Sequence, residues 1–175
     1  MNNYTKLRPV IIPLDARIHQ KASALAAEQS HPEIAKQVYL NILAVTAVSD
    51  LLKWLEFETN LEQTYSFDPF LTGLFNARDL IVENKQLFCV PILPGVREFY
   101  LVSDVAENFI GYVAVQFQHS LDKVEIWGFY PALAKDNLPE KISLEDLQPL
   151  DNLFEFLEKN KQEVLPQNGL VNLAN

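Results

Sequence analysis

The sequence has 175 residues, 49% of them hydrophobic and 21% charged, so the chain is long and apolar enough to bury the core of one domain. Its formal net charge of −9 argues against a general nucleic-acid-binding protein, because such proteins need a basic surface to replace the counterions of the phosphates. The same charge disfavours binding to anionic membranes.

The positions of the cysteine, glycine and histidine residues argue against several further classes of protein. The single cysteine, Cys89, excludes an intramolecular disulfide and favours a reducing compartment, so we expect a cytoplasmic protein. The five glycines are too scattered to form a phosphate-binding loop, and no serine lies in a Gly-x-Ser-x-Gly turn. His19, His31 and His119 share no metal-ligand spacing with Cys89. We therefore expect a protein that is not an enzyme and holds no metal or cofactor, with Cys89 buried in an apolar strand.

The first third of the chain predicts two helices. Residues 14–29 repeat apolar side chains at helical spacing, and Asp15 is the expected N-cap. A second helix is predicted over residues 32–56, beginning at Pro32 and apolar around almost its whole circumference. Such a helix must be covered on several sides, so we expect it at the centre of the domain.

The middle of the chain has the pattern of strands. Residues 57–75 form a connector with a turn signal at Asp68-Pro69. Period-two patterns or short apolar runs then predict strands at residues 79–82, 87–92, 97–102, 110–117 and 123–130. Because the links between them are short, the pattern favours an antiparallel meander.

The last part of the chain predicts one more helix. Ser143-Leu-Glu-Asp146 resembles a capping box, and residues 151–159 are amphipathic. Residues 166–175 are polar and predict a flexible C-terminal tail. The predicted fold class is α+β, with two N-terminal helices packed on an antiparallel β-meander of four to five strands, plus a short C-terminal helix, in a single domain of residues 1–165.

Positive charge is concentrated near the N-terminus. Residues 1–27 contain Lys6, Arg8, Arg17 and Lys21 against one acid, Asp15, so this segment carries +3 and the rest of the chain −12. The planar donor fork of arginine suits phosphate and the O6/N7 edge of guanine, so the segment is a candidate anion site. The alternative, which the sequence alone favours, is that these residues pair with the acidic C-terminal region across the fold.

Aromatic residues on the last predicted strand give a second candidate. Period-two alternation places Trp127 and Phe129 on the same face as Lys123 and Glu125. Two exposed rings there would form a stacking platform or anchor a protein interface. Coverage by the long N-terminal helix is the alternative and the commoner outcome in α+β folds.

Several stretches of the sequence occur together in a specific combination. They are Ile12-Pro-Leu-Asp15, Gln37-Val-Tyr-Leu-Asn41, Leu43-Ala-Val45, Trp54-Leu55, Glu58-Thr-Asn-Leu-Glu62, Pro91-Ile-Leu-Pro-Gly95, Ile110-Gly-Tyr-Val-Ala-Val-Gln116 and Gly128-Phe129. This combination resembles a cyanobacterial family classified as a domain of unknown function, over residues 10 to 155. Many longer members add a tryptophan-rich C-terminal region that this chain lacks, which suggests a compact version with a role of its own.

The resemblance implies a function but no site residues. Compact proteins similar to this one are proposed receptors for cyclic di-GMP, which implies a non-enzymatic signalling effector that binds this dinucleotide. It would regulate a protein partner such as a transcription factor, without contacting nucleic acid or a membrane itself. The alternative is a protein–protein interaction adaptor with no small-molecule ligand.

The chemistry of the implied ligand selects the candidate site residues. Two phosphates and two guanines require arginines, a stacking ring and a carboxylate that accepts from the guanine N1–H and N2–H₂ groups. The candidates are Arg8, Arg17 and Arg97 for the phosphates and Hoogsteen edges, Trp127 for stacking and Asp15 for the Watson–Crick edge.

Overall fold

A mixed sheet of six strands forms the centre of the fold. The computed structural model describes residues 7–101, 107–132 and 139–164. The strands of this sheet are β1 (Val10–Pro13), β2 (Thr59–Asn60), β3 (Asp79–Val82), β4 (Lys85–Ile92), β6 (Phe109–Phe117) and β7 (Lys123–Pro131), in the spatial order β1-β7-β6-β4-β3-β2. Two further strands, β5 (Glu98–Tyr100) and β8 (Lys141–Ser143), pair antiparallel in a separate small sheet.

Four α-helices lie in the described part of the chain. They are α1 (Ala16–Ala27), α2 (Pro32–Trp54), α3 (Pro69–Phe75) and α4 (Leu150–Val164). The prediction of Asp15 as N-cap of α1 is confirmed, since its Oδ1 accepts from the backbone N–H of Ile18 at 3.0 Å. The central position of α2 is confirmed as well, because its residues from Val38 to Leu52 are buried on nearly every side. The predicted tail, 166–175, lies outside the described residues.

The predicted architecture of two N-terminal helices on an antiparallel meander of four to five strands is wrong. β4 and β6 are parallel neighbours, so the chain between them crosses over the sheet and does not turn back as a hairpin. The predicted strand at 97–102 leaves this sheet, and its extended part pairs with β8. β1, which the sequence pattern does not predict, adds an edge strand antiparallel to β7. Period-two patterns identify strands but do not encode which distant strands pair, and this is the reason for the error.

One face of the sheet packs against α1, α2 and α4. Ala22 of α1, Leu153 and Leu157 of α4 and most of α2 form one apolar cluster with Val113 of β6 and Ile126 of β7. These five side chains are at most 1% exposed. Burial of this extent is the main favourable contribution to folding.

The opposite face of the sheet is covered by the small sheet. Phe99 of β5 and Ile142 of β8 share a second apolar cluster with Val90, Tyr112 and Ala114 of the main sheet. The rings of Phe88, Phe109 and Tyr112 pack within this cluster, with centroids 4.9–5.8 Å apart. The sheet is therefore covered by helices on one side and by β5 and β8 on the other.

A β-bulge at Trp127 changes which side chains face the helices. Ile126 pairs with Val115 and Gly128 with Ala114, so Trp127 has no pairing partner on β6. An extra residue reverses the alternation of faces beyond it. Phe129 consequently packs in the cluster under the helices, whereas Trp127 packs against the cluster on the opposite face. The prediction that Trp127 and Phe129 share a face is therefore wrong.

Candidate functional site

Asp15 and Arg17 bond to each other at the start of α1. Arg17 Nη2 donates to Asp15 Oδ2 at 3.0 Å, while Asp15 Oδ1 caps the helix. The backbone hydrogen bond from Ile18 and, after it, the Arg17 guanidinium lower the pKa of the Asp15 carboxyl. Asp15 is thus an ionised cap with both oxygens engaged, and recognition of a guanine edge would have to displace one of these bonds. The Arg17 side chain itself is 90% exposed.

Arg97 lies in a different part of the fold and has its own partner. It follows the turn at Gly95 and pairs with Glu145, in the 3-10 turn Leu144–Asp146 that follows β8. Its Nε donates to Glu145 Oε1 at 3.1 Å, and this contact lowers the pKa of the Glu145 carboxyl. Pairing of an arginine with the acidic C-terminal region therefore occurs for Arg97, whereas Arg17 pairs locally.

Arg8 and Trp127 are brought to the same region of the protein. Arg8 is exposed and forms no ion pair with a described residue. Its neighbour Leu7 packs with Trp127 against the cluster on the β5–β8 face, and Val10 pairs with Ile126. The indole Nε1 of Trp127 is buried without a hydrogen-bond partner.

The five predicted site residues do not form one site. Arg8 lies just before β1, and Arg17 lies in the first turn of α1, just after β1. These two arginines are therefore at opposite ends of β1. Arg97 is engaged with Glu145 on the face that β5 and β8 cover. The structure therefore joins Asp15 to Arg17 at the start of α1, whereas Arg8, Trp127 and Arg97 all lie toward the face that β5 and β8 cover.

Arg78 is the one arginine of the chain that is absent from the predicted site residues. It directly precedes β3, and its carbonyl accepts from the backbone N–H of Cys89 at 2.8 Å. Its Nε is buried and has no hydrogen-bond acceptor. Burial lowers the pKa of its guanidinium, which nevertheless stays charged at neutral pH. The apolar run Leu80-Ile-Val82 that follows is the signal in the sequence that Arg78 enters the interior.

The remaining groups with reactive side chains have structural roles. Cys89 is buried, as predicted, and burial raises the pKa of its thiol well above the ordinary value, which disfavours the nucleophilic thiolate. His19 Nδ1 lies 2.6 Å from the Tyr39 hydroxyl, in a hydrogen bond between α1 and α2. Within residues 7–101, 107–132 and 139–164, no three His, Cys, Asp or Glu side chains are placed to hold a metal ion.

Four large apolar side chains on α3 and the 3-10 turn before it are exposed. Tyr65, Phe70, Leu74 and Phe75, here called the α3 surface, are 55%, 72%, 60% and 64% exposed. Phe70 and Leu74 are four residues apart and so lie on the same face of the helix. The prediction of a connector over residues 57–75 is wrong for α3, because an aspartate followed by proline is the pattern of an N-cap and first helical residue.

Polar contacts fix both ends of α3. Asp68 Oδ1 accepts from the first two free N–H groups of the helix, those of Phe70 and Leu71, at 2.9 and 2.8 Å. At the other end, Asn76 closes the helix in the left-handed conformation. The buried Asn41 of α2 donates to Asn76 Oδ1 at 2.8 Å, so α3 is bonded directly to the central helix.

Asp79 at the start of β3 holds the 3-10 turn Tyr65–Phe67. Its Oδ2 accepts from the backbone N–H of Tyr65 at 3.2 Å. Its Oδ1 accepts from the backbone N–H and the hydroxyl of Ser66 at 3.0 and 2.9 Å. Because Asp79 is only 4% exposed, these bonds connect the sheet rigidly to the segment that carries the α3 surface.

A groove with acidic walls adjoins α3. It has a volume of about 530 Å³ and lies between α1 and residues 61–69, with Pro69 of α3 in its wall. Glu28, Glu62 and Asp68 line it, against one cation, Lys21. The Lys21 ammonium is itself 4.2 Å from the centre of the Phe67 ring, in a cation–π contact. This acidic groove is complementary to a cation and disfavours a ligand with two phosphates.

Comparisons with known proteins identify a family. Among the described helices, none combines the length and hydropathy that crossing a bilayer requires. Neither the curated proteins nor the solved structures contain a significant match. One family model, described as a protein of unknown function and designated DUF1822, matches residues 12–174. The match spans nearly the whole chain, and the protein therefore belongs to the DUF1822 family.

Proposed function

We propose that the protein is a non-enzymatic effector that binds a protein partner through the α3 surface. The observation that carries this proposal is the exposure of Tyr65, Phe70, Leu74 and Phe75 on a segment that the fold holds rigidly. We place this activity in the cytoplasm, since Cys89 is a single reduced thiol.

Size and composition support a protein as the occupant of this surface. Single exposed apolar residues are ordinary on soluble proteins, whereas a contiguous group of large ones marks an interaction site. Aromatic and leucine side chains supply most of the anchoring contacts at protein interfaces. Residues 69–75 carry no charge, so nothing on α3 itself would be desolvated at high cost on binding.

Charge supports a basic amphipathic helix as the segment that the partner presents. Glu28, Glu62 and Asp68 line the acidic groove, which reaches Pro69, the first residue of α3. A helix with apolar residues on one stripe and lysine or arginine beside it would satisfy both surfaces together. The net charge of −9 would also accelerate association with such a basic segment.

Site-specific photo-crosslinking in the native host would test the proposal. A benzophenone side chain replaces Phe70 in the full chain, and the control places it at Phe156 of α4, which is 40% exposed. We expect one adduct from position 70 that is missing from position 156. The crosslinked peptide should map to a basic amphipathic helix, and that peptide should bind the purified protein.

Matched variants would then distinguish a loss of peptide binding from a loss of folding. The double substitution Phe70→Ser and Leu74→Ser should weaken peptide binding at least about tenfold without lowering Tm, because both side chains are mostly exposed. Glu62→Lys should weaken it too, whereas Glu155→Lys on α4 changes the net charge equally and should not. An adduct of twice the chain mass, or an acidic or extended crosslinked peptide, would contradict the proposed partner.

A second candidate function is that of a cyclic di-GMP receptor, in which the dinucleotide controls binding of a partner such as a transcription factor. It is supported by the family likeness of the sequence and by the position of Arg8, exposed and without an ion pair among described residues, in the region of Trp127. A guanidinium and an indole with an unpartnered N–H are groups that bind phosphate and guanine. Arg17, Asp15 and Arg97 would join only after breaking their present ion pairs.

Calorimetric titration with cyclic di-GMP tests this second candidate. Arg8→Ala should weaken binding by about 1–3 kcal/mol, as expected for a charge-assisted contact. Arg97→Ala is the matched control, since Arg97 is already paired with Glu145. The absence of heat and of thermal stabilisation at tens of micromolar ligand would eliminate cyclic di-GMP and leave the α3 proposal unaffected.

A further inference from the structure

Arg78 is a largely buried cation that forms no ion pair with a described residue. Its Nε lies out of contact with solvent and has no acceptor, while part of the residue remains accessible. Buried guanidinium groups are ordinarily paired with a carboxylate or held by several carbonyl groups, so this one requires an explanation.

The groups near Arg78 do not supply the missing charge. Among the described groups, the Tyr112 hydroxyl and the Cys89 thiol influence the pKa of its guanidinium, after the larger effect of burial. Burial raises the pKa of Tyr112 to about 12 and that of Cys89 well above its usual value, so both groups are neutral at pH 7. The adjacent carboxylate, Asp79, is turned toward Ser66 and Tyr65, whose N–H groups occupy its two oxygens.

We propose that Arg78 is the centre of an oxyanion-binding site that accepts a phosphate or a phosphodiester group. The planar fork of the guanidinium binds two oxygens of such a group at once. An oxyanion entering from the accessible side would supply both the missing charge and the missing acceptors. The proposal does not depend on the function proposed for the α3 surface.

A carboxylate of a partner protein fits this position less well than a small oxyanion. Arg78 stands at the entrance to β3 with its Nε already out of solvent, so the acceptor must reach into the fold. Phosphate presents oxygens in every direction and needs no side chain to deliver it. Bound water is the simplest competing occupant, and it predicts that added phosphate changes nothing.

Nuclear magnetic resonance on the wild-type protein tests the proposal directly. A buried Nε–H exchanges slowly with water, so the Arg78 signal should be visible in a ¹⁵N correlation spectrum at neutral pH. Titration with inorganic phosphate at constant ionic strength should shift this signal in a saturable manner and leave the exposed Arg17 unshifted. If neither phosphate nor cyclic di-GMP shifts the Arg78 signal, the proposal is overturned.

Thermal unfolding of matched variants gives an independent readout. In phosphate about tenfold above its dissociation constant, wild-type Tm should rise by roughly 3–6 °C relative to chloride of equal ionic strength. Arg78→Met, which preserves packing without charge, should lose this rise, whereas Arg17→Met should retain it. Equal stabilisation of all three proteins would mean a general salt effect and would contradict the site.

Two further arms complete the design. Cyclic di-GMP in place of phosphate distinguishes the sources of the oxyanion: a response to the dinucleotide alone indicates a phosphodiester ligand, and a response to phosphate alone a free ion. If Arg78→Met does not fold, Arg78→Lys serves in its place, because it keeps the charge but not the fork. The Arg78→Lys protein should require a several-fold higher phosphate concentration to reach half of the wild-type rise in Tm. If the same phosphate concentration is enough for both proteins, bidentate binding is contradicted.

Discussion

Replacing Asp79 with alanine should detach the turn that carries the α3 surface while leaving the α3 side chains unchanged. The substitution removes the acceptors of two backbone N–H groups, those of Tyr65 and Ser66, at a site that is 4% exposed. The Ser66 hydroxyl keeps a partner, because it also donates to the Asp79 carbonyl at 2.9 Å. At about 1–3 kcal/mol for each N–H left without an acceptor, we expect a loss of about 2–6 kcal/mol in the free energy of unfolding.

Urea denaturation and hydrogen–deuterium exchange measure this effect. Asp79→Ala should lower the urea midpoint and increase exchange in residues 61–77 more than in β6. Asp68→Ala is the matched control, since it removes only the exposed cap of α3 and should cost about 1 kcal/mol. If Asp79→Ala costs no more than Asp68→Ala, or if exchange in residues 61–77 is unchanged, then Asp79 does not hold the turn as described.

Three further predictions concern packing and ionisation. Gly128→Ala should lower the free energy of unfolding by about 1–3 kcal/mol, because its new Cβ would lie 2.6 Å from the Gln148 carbonyl oxygen and disrupt the backbone bridge there. Gly73→Ala is the control: its Cβ meets only a flexible glutamine side chain, so the same urea titration should show almost no change in that free energy. Tyr112 stabilises the fold as the neutral phenol, so this contribution is complete below pH 10 and is lost as the pH rises through its folded pKa of about 12. Unfolding titrations of Tyr112→Phe should therefore fall less steeply with pH over that interval, and an equally steep fall would contradict the assignment. Cys89 should react with a thiol reagent at pH 8 at least roughly tenfold more slowly in the native protein than in urea, and equal rates would contradict its burial.

Local elements of this fold follow from local sequence patterns. Asp15 as a cap, the length of α2 and the strands at residues 79–82 and 123–130 depend on neighbours within a few positions, and the structure confirms them. The capping box at Ser143 is confirmed too, although it opens a 3-10 turn and α4 begins later, at Leu150. In each case, the physical cause lies within one or two turns of chain.

Features that depend on distant contacts could not be predicted in this way. The parallel pairing of β4 with β6 and the separate sheet of β5 and β8 are set by packing between residues far apart in sequence. The bulge at Trp127 is a slip of one residue that no period-two pattern marks, and it moved Phe129 to the opposite face. The candidate site residues stay a prediction, and their surroundings likewise depend on distant contacts: Arg97 pairs with Glu145, while the Nε of Arg78 is buried.

The pairing of β1 with β7 has a consequence for biosynthesis. Val10 emerges from the ribosome more than a hundred residues before its partner Ile126. Loop closure over such a distance is slow, so β1 has to wait unpaired while α1 and α2 are already able to form. Pro9 and Pro13, which flank or end this strand, lack backbone N–H groups and so limit wrong pairing with other nascent chains during that interval. Among the strands described, β1 is thus synthesised before the others of its sheet and can pair only after β7 has been made.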